Sequence, residues 1–446
     1  SMGNDEVYYC SYAAFPNWSY YDHPPMVGWL IYLTTFGMNI PVDLLARLAA
    51  LCLGTLNLFI IYFIGKGLYN RQVGILAAFL LSISFYGAII TGTFILPDTP
   101  QSTFWLLSLW LFIRYIKTEK PYYLLLLGLC VGGALLSKYH AVFIWVAIGL
   151  YFLVYDWKKL FSPYFIVAVF LSMLLFFPVI YWNIYNPEYS GVAYHSSRVG
   201  GQISLKYFFP EFFGQLFYNN PFNVILIVSA FYYFSQSKNR IAAKEIGFLV
   251  FAGLPLLSTT LLMSLYNQTL PHWSGPSYHA LLLLAAWHIV LSMEAKGATR
   301  FFKRVIYGGS VLFILVIVVG LIQIQSGFFL GRTDVTADKL GKDDFSIDLA
   351  VWRKAGKTLK KHLQQEANQK AYVLTHKWFP AGHIDFYATS PIKRKLYVWG
   401  GISEQHQYKQ INKMRGNIPK NSDAIFISSS NFLHHPPEAL KNSFER

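Results

Sequence analysis

Residues 305–325 read VIYGGSVLFILVIVVGLIQIQ, twenty-one residues without one charge. Coiled as an α-helix, such a run is about 30 Å long, the thickness of a bilayer's hydrocarbon core. Nine further apolar runs precede it, at 42–66, 72–90, 98–116, 121–136, 140–155, 163–185, 215–234, 246–266 and 277–293. Only 13% of the 446 residues are charged, about half the share usual in a soluble protein. The chain therefore reads as a polytopic α-helical membrane protein of about ten spans. The fourth and fifth runs are short, and Gly132 and Gly133 predict close helix packing there. Met26–Met38 is apolar but too short to cross, which predicts a segment lying in the interface or dipping in from one side.

Beyond Gln325 charges become frequent and apolar runs shrink to strand length. Residues 1–325 are thus expected to form the membrane domain and residues 326–446 a small α/β domain. Asp348–Gln369 has helical periodicity; Ala371–Thr375, Lys395–Trp399 and Ala424–Ser428 read as strands. Helical stretches near Phe379–Ala388 and Glu404–Arg415 fall between them.

The net charge of +15 does not point to nucleic acid, because of where the charge lies. Alternate connectors carry Lys66 and Arg71; Arg114, Lys117 and Lys120; Lys158 and Lys159; Lys238, Arg240 and Lys244; Lys296, Arg300, Lys303 and Arg304. The other connectors hold only Lys138, Arg198 and Lys206. The basic set is expected on the cytoplasmic side, meeting anionic lipid. The second set and the C-terminal domain then face outward, into the periplasm of a Gram-negative cell. Cys10, Cys52 and Cys130 have no disulfide or metal-ligand spacing.

That outer face collects the reactive side chains: Asp5, Glu6, Asp22, His23, Asp98, Lys138, His140, His195, Arg198 and His272. Ionisable groups at helix mouths need compensation for lost hydration, so such a gathering signals a site. Each element also has a plain structural reading. Asp5-Glu6-Val7-Tyr8-Tyr9 would suit a solvated chain end beside the interface. Asp22-His23-Pro24-Pro25 would suit a helix-entry turn, and Asp98 a helix cap before Pro100. Lys138 would suit an interfacial anchor, and Tyr194–Gly201 a solvated loop. Pattern alone leaves both readings open.

In order, Asp5-Glu6-x-Tyr8-Tyr9, Asp22-His23-Pro24-Pro25, Pro97-Asp98-Thr99-Pro100, Leu136-Ser137-Lys138-Tyr139 and Pro271-His272-Trp273 resemble the clan C polyprenyl-phosphate-sugar glycosyltransferases. These include the dolichyl-phosphate-mannose protein mannosyltransferases and the bacterial lipid A aminoarabinose transferase. Asp348-x-x-x-Trp352 and Trp378-Phe379-Pro380-Ala381-Gly382-His383-x-Asp385-x-Tyr387 look like the trailing domain of bacterial members. The resemblance implies a lipid-linked sugar donor, outer-face transfer to a lipid, glycan or protein, and a first helix preceding residue 1. It maps the general base onto Asp5. Where the aminoarabinose transferase has an acidic residue, Lys and Pro, this chain has Asp22-His23-Pro24.

Such a transfer needs a carboxylate for the acceptor's proton and cations for the departing phosphate. Asp5 is expected as base, with Glu6 beside it. Asp22, Asp98, Tyr8 and Tyr9 would orient the acceptor, and Lys138, Arg198, His23 and Tyr139 would hold the donor phosphate. A divalent metal among Asp22, His23 and His272 is a further expectation. The rival readings are a transporter or flippase of lipid-linked sugars and a polysaccharide polymerase or ligase. The first would want repeats and mid-membrane charges; neither stands out, Arg47 lying near the end of a run.

Overall fold

The computed structural model describes residues 1–189, 191, 202–236, 243–295, 299–329, 344, 346–429, 435–442 and 444. Five helices are long and apolar enough to cross a membrane: Asp43–Leu68, Pro163–Tyr185, Lys244–Met263, Pro271–Glu294 and Thr299–Ser326. Other expected spans are shorter apolar helices, Arg71–Ser82, Tyr122–Leu135 and Tyr139–Tyr155. Asp98–Thr118 is 21 residues long but opens on a polar turn. The spans thus fall where expected, except that two are interrupted. The run 72–90 becomes Arg71–Ser82 and a π-turn at Tyr86–Ile90. The run 215–234 breaks between helices Leu205–Asn219 and Pro221–Gln236. Asn220 makes that break with a positive φ of 68°. Its amide donates to the carbonyls of Ile83 and Gly309 while its oxygen accepts from Phe222 N, so the backbone groups freed there are satisfied.

Burial divides the spans. Gly275–Glu294 is buried almost throughout and forms the axis of the bundle; Thr299–Ser326 is largely bare, as a lipid-facing helix should be. The glycine expectation holds: a Cβ on Gly132 would meet Leu175 at 2.7 Å and one on Gly133 would meet Phe104 at 2.7 Å. Met26–Thr34 is a nine-residue helix that stops well short of crossing.

The C-terminal part contains a parallel sheet. We label its strands β1 (Tyr372–His376), β2 (Leu396–Trp399) and β3 (Ala424–Ile427), in spatial order β2-β1-β3. Parallel pairing requires crossovers, supplied by helices Trp378–Ile384 and Tyr408–Arg415. Helix Ile347–Leu363 precedes the sheet. The first helix of the chain, Asn4–Ala14, lies between Met26–Thr34 and Trp378–Ile384. Its Val7, Tyr8 and Tyr12 share one hydrophobic core with Trp352, Val373, Leu396 and Tyr408, separate from the core of the bundle.

Candidate active site

Three local features bring these motifs together. Tyr20 N donates to His23 O (3.2 Å), and the Pro24-Pro25 turn ends with Met26 N donating to Leu136 O (3.1 Å). Asp22 and His23 are thereby tied to the segment carrying Lys138. Asp98 begins its helix, but the cap position is Pro97, with no side-chain cap. The Asp98 carboxylate instead accepts two hydrogen bonds from Lys138 Nζ, at 3.0 and 2.9 Å. Both residues are buried, so the pair is neutral overall and fully desolvated.

The pair sits in the wall of a cavity of about 380 Å³. Asp5, Tyr9, Asp22, His23, Asp98, Lys138, Tyr139, His140 and His272 also line it, with Leu96, Pro97, Leu270 and Trp273. Trp378 and His406 of the C-terminal domain close one side. Asp5 is exposed to this space, with the protein walls of the cavity crowded around its carboxylate. Burial therefore raises its pKa to about 6, helped by the charges of Asp22, Glu6 and Asp98 and opposed by Lys138. Asp22 is held from behind: Tyr8 donates to its Oδ1 at 3.1 Å, and Tyr12, one turn further along the helix, donates to the same atom.

Glu6, expected beside Asp5, turns away from the cavity. Arg47 Nε and Ile95 N donate to its Oε1 at 2.7 and 3.2 Å, and Gly3 N donates to its Oε2 at 2.8 Å. Helical geometry explains the divergence, since adjacent residues point about 100° apart. Tyr8 lies behind Asp22, while Tyr9 lines the cavity with its ring 5.7 Å from that of His23. Arg198, like His195, lies outside the described residues. Asp22, His23 and His272 share the cavity without forming a ligand set; among the described residues no group of three or more His, Cys, Asp or Glu is placed to hold a metal.

The sequence reading missed the contribution of Trp378, His406 and Gln407. The indole of Trp378 stacks on His406 (5.1 Å, 15° between planes). Gln407 N donates to Tyr8 OH at 3.2 Å, and Tyr21 N donates to Gln407 Oε1 at 2.9 Å. The Trp378 motif was a visible signal; His406 and Gln407 have none. Tyr12 could have been found from its four-residue spacing after Tyr8.

The architecture is a helical bundle with a polar cavity beside a small α/β domain. Residues 22–182 match the family described as dolichyl-phosphate-mannose-protein mannosyltransferase. No curated protein matches the sequence. Among solved structures the chain resembles ArnT from Cupriavidus metallidurans bound to undecaprenyl phosphate, with a TM-score of 0.62 and 14% identity over 93% of this chain and 84% of that one. The apo state of ArnT is similar at a TM-score of 0.60 and 14% identity, over 92% and 83%. An archaeal oligosaccharyltransferase from Archaeoglobus fulgidus, in its apo form, reaches a TM-score of only 0.49 at 13% identity, over 89% and 60%, and carries no weight here. At these identities the likeness to solved structures is one of fold. With the family match over residues 22–182 it bears out the clan C resemblance, which is a resemblance to membrane glycosyltransferases.

Proposed function

We propose that the protein transfers a sugar from a polyprenyl-phosphate donor to an acceptor hydroxyl or phosphate, on the outer face of the plasma membrane. Residues 1–325 would carry the catalytic site in the membrane, with residues 326–446 facing the same side. The observation that supports this best is one cavity holding a carboxylate, Asp5, with no ion pair among the described residues, and a buried cation, Lys138. Its size lies within the range of about 300–1,000 Å³ usual for small-molecule sites.

Asp5 takes the proton of the acceptor O–H as its oxygen attacks the anomeric carbon. The new C–O bond forms on the side opposite the departing phosphate, so the configuration inverts. The electron pair of the broken bond leaves with the phosphate. Lys138 has three N–H donors; two go to Asp98, leaving one for a phosphate oxygen, with Arg198 proposed as a second cation. Asp22, fixed by Tyr8 and Tyr12, would orient the acceptor. The undecaprenyl phosphate bound to ArnT fits a lipid phosphate as the donor's carrier. A metal is given no step, because its candidate ligands do not converge.

Purified protein incubated with a panel of undecaprenyl-phosphate sugars and membrane acceptors should move the sugar to an acceptor. Parallel vesicle assays should show no lipid translocation. Translocation without transfer would replace this reading with that of a flippase.

A further inference from the structure

The most conspicuous C-terminal motifs have no place in the chemistry above. Asp348, Trp352, His383 and Tyr387 do not line the cavity. Their contacts run instead to the helix that carries Asp5. Asn4 Nδ2 donates to Asp348 Oδ2 at 3.0 Å, and the other oxygen of Asp348 accepts from Trp352 Nε1 at 2.7 Å. Since the Asn4 amide nitrogen is committed to Asp348, its Oδ1 must be the acceptor of the 2.8 Å bond from His383 Nε2. His383 is fully buried, with its ring stacked on Trp352 at 4.6 Å and 3°. Burial holds its pKa down at about 3, so the ring is neutral and Nε2 carries its single proton. Tyr387 extends the contact by donating to Asp43 Oδ2 at 3.0 Å. Gly382 lies so close that a Cβ there would stand 3.1 Å from Tyr8 N.

We propose that the C-terminal domain positions the base: Asp348 and His383 clamp Asn4 from two sides and so fix the aim of its neighbour Asp5. This rests on the reading of Asp5 as base. Both partners of Asn4 lie more than 340 residues away in the chain; Glu6 and Tyr8 anchor other faces of the helix, and the bonds to Asn4 hold the residue next to Asp5. Asp5 itself faces Asp22, Asp98 and Lys138 across the cavity, with Glu6 behind it. A loosened helix would let bulk water reach the carboxylate and separate it from those charges.

The test uses the full-length protein in nanodiscs. Asn4→Ala should lower kcat about tenfold or more through lost alignment, with the affinity for undecaprenyl phosphate unchanged. The acid limb of its pH–rate profile should move down from about 6, toward an ordinary carboxylate. Carbodiimide labelling of Asp5, followed by peptide mass spectrometry across pH, should show the same downward movement without any sugar donor. His383→Gln, which keeps a donor, should restore most of kcat relative to His383→Leu. Should Asn4→Ala fail to fold, Asp348→Asn replaces it, with the same expectations. A variant that keeps wild-type kcat and an unmoved limb overturns the clamp. Wild-type transfer by Asp5→Asn would overturn the reading of the base itself, a separate outcome.

Discussion

The bundle and the cap beside its cavity are built by opposite means. In the bundle, apolar helices of spanning length pack around Gly275–Glu294, and its outermost helices stay bare to lipid. In the cap, an eleven-residue helix at the start of the chain shares its core with a sheet near the end. Composition along the chain suffices to place the first; contacts between distant residues make the second. The cavity lies where the two meet, and takes its Lys138–Asp98 pair from the bundle and Asp5 from the cap.

That contrast can be tested by breaking one side at a time. The largest effect is expected in the bundle wall. Lys138→Met leaves Asp98 buried without its cation, at a cost of about 3–5 kcal/mol, read as a lowered thermal midpoint in detergent. Asp98→Leu added to it should recover most of that loss, because the uncompensated charge is gone.

On the cap side, Glu6→Gln weakens the charge-assisted link to Arg47 and should cost about 1.5–3 kcal/mol. Tyr12→Phe removes the Tyr12 hydroxyl from Asp22 and leaves that of Tyr8, and should cost about 1 kcal/mol. Its thermal midpoint should fall least of these variants.

A pH series sharpens the comparison without a mutation. A base must be ionised to accept a proton, so kcat/KM should rise with pH through about 6 and level above it. Stability runs the other way for this group. Its folded pKa is raised above the ordinary value, so the contribution is largest at low pH and is lost as pH climbs through about 6.

Most of the bundle was legible because hydrophobic length is a one-dimensional signal. The breaks at Ile83–Phe85 and Asn220 were not, since they depend on carbonyls of other helices accepting from one asparagine. The acids and cations of the connectors poor in basic residues were legible as a set, and the structure gathers Asp5, Asp22, Asp98 and Lys138 into one space. Which way each points was not: Glu6 and Asp5 are neighbours in sequence and diverge by a helical step. His406 and Gln407 reach the site through the fold of a domain more than 350 residues downstream, which no local pattern announces, and the Trp378 motif was visible without its place at the cavity.

The central claim is that Asp5 ionises in the cavity to take a proton. Asp5→Asn keeps the shape of the side chain while removing that function. Transfer from an undecaprenyl-phosphate sugar should fall about 10²–10⁴-fold, and the variant should unfold at a higher temperature than wild type at pH 8, where the charge is a burden. Near-normal transfer by Asp5→Asn, or a thermal midpoint below wild type at that pH, would contradict it.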